Sequence, residues 1–440
     1  MRNGLETKLE PKPRLIDGMT QAAGRHGYAG ATVARVVEQA GVSRATFYEH
    51  FADKEACFLA AFEQAAEPIE LALGRIEASH TPQHRAAAFL DDLLAYVVHD
   101  PAAARVLLVE AMAGGTRARE ARERLSLRLE ETLERWLDWA GKGGIRLTVS
   151  GRAIIEGTAG ILVIRSFRGE TARLAEIRDD LLTWINSYVV LGERPRLNPD
   201  QWRQLGAGLV RERPARLPAR GGLPRGKSAA TPEVVAANQR ERILDAVAVQ
   251  ARHKTYAGTT VADVVKAAGV TREAFYDLFR SKEDAFLAAQ NAGLEASVSQ
   301  AAACFFCGAD WPSRVWDGLE ALLGYLAQEP DLVYVEIIES YAAGPAAIRR
   351  SFDNRMAYTL FLEDGYRENS TAEGRPRLCS EAIAAAILGL MRWQVREGRT
   401  ERMMELLPQA AFVALAPFVG PAAAIELVEA KAAAGGPPAA

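Results

Sequence analysis

The residues of this 440-residue chain best suited to chemistry gather in one short run. Arg44, Thr46, Tyr48 and His50 alternate along it, and Lys54 follows. All five side chains donate hydrogen bonds, His in either protonation state. With Phe47 and Phe51, four apart, turned inward on a helix, Arg44 and Tyr48 share one outer stripe and Thr46 and His50 another. These groups suit the phosphate backbone of DNA, and Arg44 is long enough to reach a base edge in the major groove. The chain offers no clustered nucleophile with a base, no metal-ligand spacing and no phosphate-cradling glycine loop, so no enzyme is expected.

Such a set needs elements to hold it. Thr32 can cap a helix whose apolar positions are Val33, Val36, Val37 and Ala40. Gly41 supplies the left-handed backbone that ends it. Ser43 caps the next helix, Arg44–Phe51, whose N-terminal N–H groups suit phosphate. Two short helices joined by a tight glycine turn make a helix-turn-helix.

The plan is written twice. YAGATVARVVEQAGVSRATFYEHFADKEACFLAA from Tyr28 and YAGTTVADVVKAAGVTREAFYDLFRSKEDAFLAA from Tyr256 agree at roughly 20 of about 34 positions without a gap. Fainter matches continue, LLAYVVHDP at Leu93 with LLGYLAQEP at Leu322, and VLLVEAMAGG at Val106 with VEIIESYAAG at Val335. Gly160 and Gly169 recur as Gly389 and Gly398. A period this long marks a duplicated domain rather than a solenoid. The expected order is a first head at 1–53, a first helical body at 54–192 and a linker at 193–232. A second head at 233–281, a second body at 282–428 and a disordered tail at 429–440 complete it. The linker has no helical periodicity and carries nine basic against three acidic side chains, so it reads as flexible chain.

Strand signals are absent and apolar residues recur at helical spacing, as in Leu125, Leu129, Leu133 and Trp136, so the fold class is all-α. Hydrophobic residues at 49% and charged residues at 25% exclude disorder over most of the chain. With 53 basic against 56 acidic side chains, nucleic-acid contact must rest on a local patch rather than on global charge. Four cysteines are too few for a secreted disulfide framework. The lone Cys304-Phe-Phe-Cys307 lacks the second pair a zinc site needs, so buried, ordinary cysteines and no metal or cofactor are expected. No signal peptide and no stretch apolar enough to span a membrane is legible, and a cytoplasmic protein with no membrane partner is expected.

The run T-V-x-x-V-x-x-x-A-G-V-S-x-x-T-F-Y-x-H-F-x-x-K-E, from Thr32 to Glu55, strongly resembles the tetracycline-repressor (TetR) family of transcriptional regulators. The resemblance is sharp over roughly 50 residues of each copy. It implies two fused units, each a three-helix DNA-binding head on a helical body that dimerises through its last two helices and holds a small-molecule pocket. By position it implies phosphate contacts from Thr32, Thr46, Tyr48, His50 and Lys54, with Arg44 and Ala45 facing bases; the cap Ser43 is counted with the DNA-binding residues. The implied partners are double-stranded operator DNA and a small-molecule effector. The two repeats pair either within one chain as a pseudo-dimer or between two fused chains as a homodimer. The alternative is a DNA-binding architectural or partner-controlled regulator without a small ligand.

The second copy departs from the first in its reader helix. Thr260, Thr271, Arg272 and Tyr276 are kept, but Ala274 and Leu278 replace Thr46 and His50. Glu273 and Asp277 place two carboxylates on the DNA-facing side, partly offset by Arg280 and Lys282, so weaker attachment is expected. In the bodies, Tyr96 and Glu110 correspond to Tyr325 and Glu339. A carboxylate beside an aromatic can bind a polar effector or tie neighbouring helices. Trp136, Tyr341 and Trp393 are further ligand candidates, with core packing as the other reading.

Overall fold

The structure, a computed structural model, describes residues 10–137, 145–191, 199–210 and 231–435. The described residues are almost wholly helical, all-α in class, and the three-helix head occurs twice. By contacts it divides into two compact parts, Met1–Thr132 with Leu162–Arg178, and Leu133–Ile161 with Asp179–Ala440. The end of the first repeat is therefore built into the part that contains the second.

Each head is three helices. In the first, Pro11–Gly30 opens on a proline, tolerated because the first N–H groups of a helix have no acceptor, and kinks at Gly27, where φ is 72°. Val33–Ala40 is capped by the Thr32 hydroxyl and ended by Gly41 at φ 61° and ψ 40°. The reader helix Arg44–His50 is capped by Ser43, which accepts from the Thr46 N–H. The three close over Leu15, Met19, Val36, Phe47 and Phe58. Each such side chain contributes about 1.5–3 kcal/mol by leaving water. Pro232–Gly258, Val261–Ala268 and Arg272–Leu278 repeat this over Ile243, Val247, Val264, Phe275 and Phe286. Here Thr255 stands in place of Gly27, at φ 63° and ψ 162°.

The helices Lys54–Ser79 and Lys282–Phe305 lead from the heads into the bodies. Each body carries a π-helical turn at the same place, Val106–Glu110 and Val335–Glu339. Within the second part, residues 151–161 cross the helix Leu378–Arg396 closely. A Cβ built on Gly389 would stand 2.2 Å from that of Glu156, and one on Gly160 2.5 Å from that of Ala385. Beside this crossing Trp184 donates to the Tyr188 hydroxyl at 3.0 Å, which donates to the Val413 carbonyl at 2.8 Å.

Several expectations need correction. A two-stranded antiparallel ribbon joins Ile145–Leu147 to Val189–Leu191, three residues each and too short to show alternation in sequence. The stretch read as linker contains a helix, Pro199–Leu209, because Trp202 is buried against Phe412 and donates to the Thr148 carbonyl at 3.0 Å. Linker residues 192–198 and 211–230 lie outside the described residues. The tail is helical as far as Gly435, and Lys431 reaches Asp317 at 3.0 Å. Leu378–Arg396 and Thr400–Val419 are long and apolar enough to cross a bilayer, but 78% and 83% of those windows are buried in protein, which makes them core. Cys304 and Cys307 are exposed rather than buried, the first in the last turn of the helix Lys282–Phe305 and the second just past it.

Candidate nucleic-acid interface and buried cavity

The first reader helix presents the surface its sequence implies. Phe47 is fully buried and Phe51 nearly so, which turns Arg44, Ala45, Tyr48 and His50 outward; Tyr48 is 49% exposed. Arg44 leans on Tyr48, its guanidinium 5.8 Å from the ring centre and Nη2 3.4 Å from the hydroxyl. The Thr46 hydroxyl lies 2.9 Å from the Ser43 hydroxyl, half-buried beside the cap. Thr32 is exposed at the start of the preceding helix.

Lys54 is placed differently from a free phosphate-seeking chain. Its ammonium donates to the Tyr28 carbonyl at 2.9 Å and lies 3.9 Å from the Tyr28 ring, and burial lowers its pKa. An ammonium has three donors, so one tie leaves others for phosphate. Lys282 repeats the arrangement, donating to the Tyr256 and Thr259 carbonyls at 2.7 and 2.8 Å. Burial and nearby carboxylates push Tyr28 up to about 12, which keeps its ring neutral beneath the cation.

The carboxylates shared by the two bodies complete this joint. Glu110 accepts from the Tyr28 backbone N–H at 2.6 Å and from Arg105 at 2.9 Å. Glu339 accepts from the Tyr256 N–H at 2.6 Å. Each π-turn thus aims one buried carboxylate at the kink of its own head, and each head is tied to its body through that kink. Of the two sequence readings for Glu110 and Glu339, these hydrogen bonds are those of a tie between helices.

The second head is more acidic at two matching places, with Glu273 for Ala45 and Asp263 for Arg35, while Asp277 keeps the charge of Glu49. Arg272 stacks on Tyr276, which is 46% exposed, while Glu273 and Asp277 are exposed beside them. Thr271 caps this helix, and Arg280 is almost wholly exposed. The hydroxyl of Thr260 engages Asp263, which Lys254 also holds at 2.6 Å, keeping that carboxyl far below its usual range. Asp263 occupies the position of Arg35 in the first head, a charge reversal that the reading of the reader helix alone passes over.

The second body contains a cavity of about 110 Å³. Its wall is mostly apolar, with Phe305, Leu322, Ile337, Phe361 and Met391 among its residues, and its polar members include Glu336, Ser351, Arg355 and Tyr358. Glu336 is half-buried on this wall, and loss of solvent around its carboxyl pushes it up to about 7; Asn354 lies 3.5 Å away. Arg355 is 5% exposed, and its Nε has no acceptor among the described residues. The Tyr358 hydroxyl pairs with that of Ser297 at 2.7 Å.

The ligand candidates read from sequence stand elsewhere. Tyr325, Glu339, Tyr341, Trp393 and Trp136 are outside this wall. Trp393 lies between Arg152 and Arg399, Tyr341 packs under Arg392, and Trp136 is core. Tyr96 borders an open groove on the first body, where its hydroxyl donates to the Ala65 carbonyl at 2.8 Å. The signal that was missed is a mismatch between copies. In gap-free register Glu336, Arg355 and Tyr358 replace Leu107, Ser126 and Leu129.

Fold and surface together define a two-headed helix-turn-helix protein with a hollow helical body. The family described as bacterial regulatory proteins, tetR family, matches residues 15–61 and again 243–289, so each of the two heads is of that family. The transcriptional repressor AcnR of Corynebacterium efficiens is 43% identical over 63 residues, 14% of this chain and 34% of that one. AcnR of Corynebacterium diphtheriae is 43% identical over 61 residues, 14% and 32% respectively. The chain thus spans about a third of the length of these relatives. The fatty acid degradation regulator FadR of Bacillus halodurans is similar at 18% identity and a TM-score of 0.33, covering 41% of this chain and 97% of its own. FadR of Bacillus subtilis, solved with stearoyl-CoA, gives 18%, 0.36, 39% and 96%.

Proposed function

We propose that this protein is a DNA-binding transcriptional repressor whose two repeats pair within one chain and whose grip is released by an effector entering the second body. The observation that carries the reading is the first reader helix, with its aromatic face buried and Arg44, Tyr48 and His50 exposed. The sense of repression follows the relatives that share the head. Pairing within the chain is supported by the close crossing of 151–161 with Leu378–Arg396. A two-fold regulator sets its reader helices one DNA turn apart, about 34–36 Å, and fusion makes that pairing independent of protein concentration.

The cavity suits a small, mostly apolar molecule with one polar end, met by Arg355 or Glu336. Arg355 also abuts the crossing, for a Cβ built on Gly160 would lie 3.0 Å from its Nη1. Displacing Arg355 acts on the pairing of repeats, with a coupling of about 1–3 kcal/mol as allosteric systems allow.

The test is fluorescence anisotropy on DNA upstream of the protein's own gene, over a salt series. Binding should favour that fragment over random DNA and weaken as salt rises. Arg44→Ala should erode the preference by about 1–3 kcal/mol at one base pair. Indifference of the wild-type protein to DNA ends the proposal. A thermal-shift screen of apolar acids and amines then checks the effector, with Arg355→Ala expected to remove any shift.

A further inference from the structure

Resting on the reading of paired repeats, we infer that the buried Glu156–Arg392 ion pair is a recognition key: it makes each repeat's pairing face fit the other repeat and reject its own kind. Arg392 donates from Nη1 to Glu156 Oε2 at 2.6 Å, and the two residues are only 6% and 5% exposed. Glu156 belongs to the first repeat and Arg392 to the second.

The pair has no twin. In the register that aligns Gly160 with Gly389, Glu156 aligns with Ala385 and Arg392 with Val163. Backbone packing obeys this register, since Gly389 lies under Glu156 and Gly160 under Ala385. A two-fold interface makes every contact twice, residue i on j and j on i. Here the glycine contact is made twice and the charge contact once. Two first-repeat faces brought together would bury two carboxylates with valine where arginine is needed. Two second-repeat faces would bury two guanidiniums over alanine.

A buried ion pair roughly balances its own desolvation, whereas a buried charge without a partner is heavily penalised. The pair therefore adds little glue and much discrimination, a repulsive element set against wrong pairings. The glycines let the two helices approach, and the single ion pair decides which helices do so.

The experiment starts from the intact, folded chain with a protease site inserted between Arg211 and Ala230. The chain is cut, held until subunits exchange, and read by native mass spectrometry. Wild-type fragments should remain one of each. In E156A/R392V each position takes the other repeat's residue, so like-with-like pairs become allowed, and their share should rise more than about a hundredfold. Strict one-of-each pairing in that variant, or free scrambling in the wild type, overturns the key. An uncut wild-type mass near twice 47.7 kDa instead overturns pairing within one chain and leaves the key standing. As a second arm in the uncut protein, E156R and R392E should each lower the melting temperature, and E156R/R392E should recover most of the loss. Failure to recover also overturns the key.

Discussion

The first and second repeats share a frame and differ in what fills it. The place where the second body encloses a cavity is filled in the first: Leu107 and Leu125 lie in one core cluster with Leu15, Phe47 and Phe58, and Leu129 packs against it. The matching positions Glu336, Asn354 and Tyr358 lie on or beside the cavity. The heads differ in the opposite sense, the first presenting Arg35 and Ala45 where the second presents Asp263 and Glu273. Duplication frees each copy from carrying every task. On the proposed function, the first repeat keeps the surface better suited to phosphate and the second encloses the cavity given to the effector.

The largest test of this comparison removes the aromatic under each reader helix. Phe47→Ala and Phe275→Ala should each destabilise their head by about 3–5 kcal/mol, because both rings are fully buried. Urea denaturation should show similar losses. DNA affinity should not follow suit, and Phe47→Ala should cost far more of it. Equal losses of affinity would make the heads equivalent and remove the asymmetry.

A pH series separates the bodies. Burial favours the protonated form of Glu336, so the folded chain keeps that proton up to about pH 7 while the unfolded chain releases it near 4.5. Stability should therefore fall as pH rises through this window and stay lowered above it. Glu336→Gln should abolish the fall and stabilise the protein at pH 8 by at most about 3 kcal/mol. Leu107→Gln in the first body should introduce no such slope. Denaturation midpoints from pH 5 to 8 decide the matter, and an unchanged slope in Glu336→Gln removes the carboxyl from the account.

A smaller difference lies at the kink between head and body. Thr255 holds a β-branched side chain in a region of backbone space nearly reserved for glycine, which costs about 1–3 kcal/mol. Glu339, Lys282 and the Thr259 hydroxyl, which donates to the Thr255 carbonyl, hold the segment there. Thr255→Gly should raise stability by a net of about 1 kcal/mol, since the added freedom of the unfolded chain offsets part of the relief. Gly27→Thr should do the reverse, with its Cβ 3.3 Å from Glu110. Thermal melts of the pair would expose a kink that is unstrained if neither moves.

Much of this was readable before any coordinates. The caps Thr32 and Ser43, the glycine turn and the inward Phe47 and Phe51 are local rules, and local rules leave local signatures. The ends of the repeats were not readable, because the helix Pro199–Leu209 exists for Trp202, whose partners Thr148 and Phe412 lie far away in sequence. The carboxylates were read halfway. Glu110 and Glu339 stood out because both copies share them, and sharing turned out to mark the joint. Glu336 stood unnoticed because only one copy has it, and the cavity depends on that difference.

The finest expected effect concerns the carboxylate that the second reader helix adds. Glu273 is exposed and takes the place of Ala45, so it stands near phosphates if both heads engage DNA alike. An exposed charge acts through high-dielectric solvent and is worth about 0.5 kcal/mol, more at low salt than at high. Glu273→Ala should thus tighten binding slightly and Ala45→Glu should loosen it, both effects fading as salt rises. The reciprocal pair matters more than either variant. If Ala45→Glu loosens binding and Glu273→Ala leaves it unchanged at every salt concentration, the second head is not on the DNA, and the two repeats have divided reading from sensing completely.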